Sequence, residues 1–299
     1  MERQIAIEDI LRSASMRPFS EFYRVAWREM IASNTERSLY ASLIPPGANH
    51  IHAVRSAALA SAVDTVLVAG FFASLPLDYA LRISGRGHLD TSDAKVLPAP
   101  TPGHPLAASL LLRTLRLNCQ TNAYAALWEE LYDPAWQEDA WVEDLAGRFD
   151  THLAQGVTPK WTRDTPLRAE RLRRFALVEI DALVAVWLGI SADELVAIYE
   201  ARFPVLQQYE ENMWFDASGR RITKAHQVHG YGQPKDAWKQ LSSHENFPLE
   251  ATVPDSYVGP LYRADRRREM RAAHDEFSRR LRAAGWEPGD AKAPGSVGE

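Results

Sequence analysis

Residues 36–54 read ERSLYASLIPPGANHIHAV, and the course of this stretch decides how the first third of the chain is built. Leu39, Ala41 and Leu43 alternate with Ser38, Tyr40, Ser42 and Ile44, the period of two that marks a half-buried strand. Pro45-Pro46-Gly47 cannot continue a hydrogen-bonded ladder, so the chain turns there. Residues 50–54 are expected to return as the partner strand, with Leu39, Leu43 and Ile51 in the core. Two polar features stand out: Arg37 at the mouth of the stretch, and His50 and His52 two residues apart. Side chains two apart on a strand share a face, so the histidine pair invites a metal reading. A third ligand would have to come from elsewhere, and none announces itself; a structural or surface histidine is the ordinary alternative.

Upstream, MRPFSEFYRVAWREMIA (16–32) reads as a short amphipathic segment. Downstream, TVLVAGFFA (65–73) is a continuous apolar run. It suits a strand buried on both faces, although periodicity alone does not separate that from a helix. Ser74 with Pro76 signals a helix start, and ISGRGHLD soon breaks that helix. KVLPAPTPGHP (95–105) holds four prolines and one glycine and reads as a boundary. From 105 to 215 the apolar spacing is helical, with a break near Asn118. Thr165-Pro166 reads as cap and first turn of a helix running to Gly189; its stretch ALVEIDALVAVWLGI carries Glu179 and Asp181 and reads as a buried helix. Ser191-Ala192-Asp193-Glu194 is a capping box opening another helix, which Pro204 ends or kinks. FDASGRRIT is a turn. Residues 261–284 carry eight arginines against four acids on a helix whose Met270, Phe277 and Leu281 form a docking stripe. The fold class expected is α+β: a mixed domain over 1–104, a helical domain over 105–215, a segment with the basic helix over 216–285 and a disordered tail over 286–299.

With 299 residues, 46% of them hydrophobic, the chain can bury a sizeable core. Its one cysteine, Cys119, precludes an internal disulfide and fits a reducing cytoplasm; in LRLNCQTNAYA it reads as a buried structural thiol. No apolar run reaches the roughly 18–20 residues of a membrane helix, so no membrane partner is expected. Net charge is −5, which argues against indiscriminate nucleic-acid binding. The charge is uneven. Residues 1–105 hold ten basic and ten acidic side chains, nine of the ten basic ones arginine. Residues 106–164 hold five and nine, 165–215 five and eight, and 216–299 fourteen and twelve. An anion-binding surface therefore belongs to the ends of the chain.

The sequence contains no G-x-x-x-x-G-K-[ST] loop, no G-x-G-x-x-G, no G-x-S-x-G and no H-E-x-x-H. One cysteine precludes a cysteine-rich zinc site, and His226 and His229 lack further ligands as His50 and His52 do. The arginines 266–268, 271, 279, 280 and 282 either meet phosphates or form a solvated helix face paired to nearby acids. No catalytic residue and no metal ligand is assigned.

Taken in order, FYRVAWREM…NTERSLYASLIPPGANHIHAV, VAGFFASLPLDYALRISGRGHLD, LPAP, LRLNCQTNAYAALWEEL, RFALVEIDALVAVWLGISADELVAIYEARFPVLQQYE and ADRRREMRAAHDEFSRRL resemble the C-terminal region of large class I adenine-specific DNA methyltransferases. These are the type IIG-like restriction–modification enzymes and their relatives in DISARM and BREX phage-defence systems. The likeness runs through most of residues 16–285. In that family the catalytic domain lies upstream, with a SAM-binding loop and an N-P-P-[YFW] motif; Asn-Pro-Pro is absent here, and IPPG lacks the asparagine amide that faces the target amine. The resemblance thus implies a target-recognition and helical spacer portion that binds no cofactor itself, SAM belonging to an upstream domain. A fragment, a split gene and a truncated gene all fit. It implies duplex DNA and a methyltransferase domain or other defence subunits as partners. The DNA-contacting residues it implies are Arg37, Tyr40, His50, His52 and Arg55, and Arg82, Arg86 and His88 around Ser84-Gly85-Arg86-Gly87, since arginine matches guanine O6 and N7 and other contacts hold phosphates. A protein–protein scaffold in a phage-defence complex, using the acidic helical region, is the alternative; an enzyme with an unfamiliar site ranks below both.

Overall fold

The three short strands of the first hundred residues form one antiparallel sheet whose middle strand comes first in sequence. β1 (Arg24–Arg28) lies between β2 (Ala41–Ile44) and β3 (Val54–Ala57). The computed structural model describes residues 18–32, 34–101, 103–142, 155–211, 213–222, 236, 257–259 and 261–290. His226, His229 and the end of the tail lie outside them. In the sheet, Val25 stands opposite Leu43 and Ala57, and Trp27 opposite Ala41 and Arg55. The hairpin expected over 38–54 is thus corrected: β2 and β3 do not pair with each other but flank β1. The residues that bring this about lie in FYRVAWREM, where Tyr23, Val25 and Trp27 sit at strand spacing and leave both edges of β1 open to partners. The loop between β2 and β3 must cross over β1. Gly47 turns it at φ +79 and donates its N–H to the Ser20 carbonyl at 2.7 Å. Ile51 rides on this crossing loop and is 75% exposed, not a core residue.

The apolar run 65–73 is helical. It lies in α1 (Ala62–Phe72), whose N-cap Ser61 accepts from the Asp64 N–H at 3.0 Å. Its strand-like look arises because most sides are covered: Trp27 meets Phe72 edge-on at 5.6 Å from the sheet, and Phe71 meets Trp187 at 5.2 Å from the helical body. A helix apolar nearly all round shows no period. Gly70 permits the close crossing of α1 with a later helix, since a Cβ there would sit 2.5 Å from the Thr114 hydroxyl. After α1 comes α2 (Leu75–Ile83), capped by Ser74 as the sequence predicts. A single-turn α3 (Thr91–Ala94) follows.

The body is helical: α4 (Ala107–Asn118), α5 (Ala125–Leu131), α6 (Glu170–Trp187), α7 (Ala192–Arg202), α8 (Pro204–Glu210) and α9 (Arg266–Ala283). α4 stops at Asn118 as expected. The buried thiol of Cys119 follows, its pKa pushed up to about 12 by burial. α6 starts at Glu170 and not at Thr165. The Thr165 hydroxyl is taken by the Thr162 N–H at 2.8 Å in a preceding turn, and the Arg171 N–H finds the Gly219 carbonyl at 3.1 Å. The Ser191 capping box forms, and Pro204 separates α7 from α8. α9 lays Met270, Phe277 and Leu281, all fully buried, against the body. A second small sheet orders β4 (Trp214–Phe215) between β5 (Arg221–Ile222) and β6 (Tyr262–Arg263). Residues from Val25 to Trp286, on both sides of the proline-rich segment 95–105, share one hydrophobic cluster. The start of the tail is packed: Gly289 donates to the Val186 carbonyl at 3.1 Å, and Trp286 sits edge-on to His104. Among the described residues no single helix is long and apolar enough to cross a membrane.

Candidate nucleic-acid interface

Two groups of arginines emerge, and the fold separates them. The first is interior. The carboxylate of Asp78 on α2 is fully buried and accepts from the Ser38 N–H at 3.1 and 3.0 Å, from Arg82 Nε at 3.1 Å and lies 3.2 Å from Arg37 Nε. Arg37 also donates to the Ala73 carbonyl and reaches Asp181 Oδ1 at 3.8 Å. Asp181 takes the Leu75 N–H at 2.7 Å and Arg266 at 2.6 Å. Arg266 grips both oxygens of Glu210, at 2.7 and 2.9 Å, and Arg174 bridges Glu210 to Glu269. Burial alone would raise the Glu210 carboxyl, but Arg266 and Arg174 outweigh it and hold the group at about 2. A parallel cluster ties Arg113 to Asp139 and Glu179, with Arg280 also on Asp139. Glu179 and Asp181 are fully buried, and the helix that carries them is a buried one as the sequence predicts.

Arg37 and Arg82, expected on a recognition surface, are therefore interior side chains spent on protein partners. Arg82 donates to the carbonyls of Arg202, Thr35 and Glu36 at 2.6, 3.1 and 3.3 Å and stacks over Phe203 at 4.2 Å. Its side chain is 6% exposed. The basic helix is likewise occupied within the protein: Arg267 pairs with Glu200, Arg271 with Asp193, Arg279 with Glu276 and Arg282 with Glu287.

The second group lies on the outer face and β3 edge of the first sheet, where an open cleft of about 330 Å³ is lined by Phe19, Arg24, His50, Ile51, His52, Arg55 and their neighbours. Three of the sequence-selected residues, His50, His52 and Arg55, meet there. The ring of His50 joins Ser56 Oγ through Nε2 at 2.8 Å. Arg55 donates to Glu29 at 2.8 Å, and Glu29 also has His52 Nδ1 at 3.9 Å and His88 Nδ1 at 3.8 Å. Tyr40 lies apart, under the Arg28 guanidinium at 4.6 Å. Arg86 is exposed and ion-paired to Asp93. Among the described residues no group of three or more His, Cys, Asp or Glu side chains is placed to hold a metal ion.

Sequence reasoning missed Arg24. It sits on β1 among apolar neighbours, facing away from the core side of Val25 and Trp27, and is 1% exposed. Its Nη2 donates to the Ala48 carbonyl, its Nη1 reaches Ser56 Oγ at 3.4 Å, and its Nε has no partner. Among the described residues no carboxylate pairs with it, and desolvation lowers its pKa. A charge inside the apolar run FYRVAW was the available signal. Comparisons with protein-family models, with curated proteins and with solved structures find no match to this chain.

Proposed function

We propose that this chain is the target-recognition and helical spacer portion of an adenine-N6 DNA methyltransferase in a restriction–modification or phage-defence system, the SAM-dependent chemistry residing in a separate domain. The observation that supports this reading is the grouping of His50, His52 and Arg55 around one open cleft, with His88 beside them at Glu29 and Arg86 exposed nearby. This face is rich in groups that donate to phosphates and base edges. The helical body, in which Arg113, Arg174, Arg266 and Arg280 are already paired to carboxylates, serves as a rigid support. Cytoplasmic residence and binding to duplex DNA belong to the same proposal.

The test is fluorescence-anisotropy titration of a labelled duplex with the full chain, with the methyltransferase subunit supplied and salt varied. Binding should weaken steadily as salt rises, because phosphate contacts release counterions. His52→Ala combined with Arg55→Ala and Arg86→Ala should weaken it by roughly tenfold or more. Absence of duplex binding at low salt sinks the reading. A salt-insensitive complex with a defence subunit that forms without DNA would favour the scaffold.

A further inference from the structure

Arg24 is the anomaly of the cleft. Burying a guanidinium is costly unless a counter-charge or a full set of acceptors compensates. Three interior arginines show that compensation: Arg113, Arg174 and Arg266 each hold two carboxylates. Arg24 is equally buried, yet it meets one carbonyl and one hydroxyl, leaves Nε unpartnered, and has no carboxylate partner among the described residues. It also lines an open cleft. A fixed, desolvated cation that lines a cleft and has no carboxylate partner among the described residues is a preorganised anion site.

The surroundings specify the anion. Ser56 Oγ lies 3.4 Å from Arg24 Nη1 and 2.8 Å from His50 Nε2, and the hydroxyl and imidazole are hydrogen-bonding groups suited to a tetrahedral oxyanion. Phe19 lies against Arg24, with the guanidinium carbon 4.9 Å from its ring centroid, and is 62% exposed. With Ile51 it gives the cleft an apolar lip. A volume of about 330 Å³ is at the small end of ligand sites, enough for one phosphate with one planar ring system.

We propose that the Arg24 cleft is a single-nucleotide site: a phosphate seats on Arg24, Ser56 and His50, and the attached base lies on Phe19 and Ile51. The inference rests on the cleft itself and extends the DNA reading by naming what the cleft takes. The nucleotide is either free or one residue of a strand, and the two sources share this chemistry.

The experiment is isothermal titration of the full chain with thymidine, thymidine 5′-monophosphate, a short oligothymidylate and a duplex. Thymidine 5′-monophosphate should bind at least about tenfold more tightly than thymidine, since a charged hydrogen-bonded group is at stake. Arg24→Met should abolish that difference while keeping the wild-type melting temperature or raising it, because it removes a buried unpaired charge. Ser56→Ala and His50→Ala should each reduce it, which keeps the test decisive if Arg24→Met misfolds. Phe19→Ala should weaken the monophosphate and leave inorganic phosphate binding unchanged. Tighter binding of the oligothymidylate than of the monophosphate identifies a strand as the source, and equal binding a free nucleotide. If the monophosphate binds no better than thymidine, or if its advantage survives Arg24→Met, the proposal is overturned, whatever the duplex does. If the duplex fails while the monophosphate binds, the site stands and the DNA-recognition reading falls.

Discussion

Arg82 in the last turn of α2 and Arg86 in the turn that follows it are four residues apart, yet they have opposite fates. Arg82 turns inward to Asp78 and three carbonyls, whereas Arg86 stands 53% exposed beside Asp93. The same division runs through the molecule. Around α2, α6 and α9, arginines and carboxylates neutralise one another in a chain from Asp78 through Asp181 to Glu210 and Glu269. On the outer face of the first sheet, Arg24 has no carboxylate partner among the described residues and the histidines are exposed. A buried pair is finished chemistry: its hydrogen bonds are spent on the fold. A cation that is desolvated but unpaired still has something to bind.

The largest effect expected from breaking this contrast is at Glu210. Removing its carboxylate by Glu210→Ala strips counter-charge from Arg266 and Arg174 together. Leaving buried charges uncompensated costs about 3–5 kcal/mol, to be read from urea unfolding. Glu210→Gln, which keeps the volume and one acceptor, should cost less.

Acid should weaken this network at Glu210 and the parallel cluster at Asp139. Glu210 is held at about 2 against an ordinary 4.5, and Asp139 at about 2 against 3.8. Between those values the unfolded chain binds more protons than the folded one, so stability falls as pH drops. The contribution is fully present above about pH 4.5 and is lost as the pH falls through the folded values near 2. A shift of that size at Glu210 corresponds to about 3 kcal/mol, and unfolding midpoints measured between pH 5 and pH 2 should show it. In Glu210→Gln the loss across that window should be visibly smaller.

Arg82→Ala comes next. It leaves three carbonyls and part of Asp78 without a donor, but Arg37 and the Ser38 N–H remain on the carboxylate. A loss of about 2–3 kcal/mol is expected, measured by thermal or urea unfolding. Any fall in DNA affinity in this variant would follow from that loss and would not report a contact.

Why the sequence could name the arginines and not their destinations is a matter of what a local pattern carries. Capping at Ser74 and Ser191, the stop at Asn118 and the docking stripe of α9 depend on neighbours within a turn or two, and each was legible. The order β2-β1-β3 depends on partners that β1 finds up to 32 residues away, Val25 with Ala57 and Arg24 with Ile44 among them. Spacing within 38–54 cannot encode that. The helix at 62–72 hid because burial on most sides erases periodicity. Of the site, His50, His52 and Arg55 were legible by type and position. Arg24 was not, because only the crossing loop and Phe19 turn that strand position into a cleft wall.

Arg86→Ala should have the smallest effect on the fold and is therefore the sharpest probe of the surface. Its ion pair with Asp93 is solvent-exposed, and such pairs contribute about 0–1 kcal/mol. The unfolding midpoint should move little, whereas Arg82→Ala, four residues earlier in α2, lowers it clearly. If Arg86 meets a phosphate, duplex affinity should fall by a similar factor on every sequence, and the salt dependence should lose about one ion's worth of slope. If it reads a base, the fall should concentrate on one position of the site. A variant with unchanged stability, affinity and salt slope would remove Arg86 from the interface and leave the cleft at β3 to carry the contact alone.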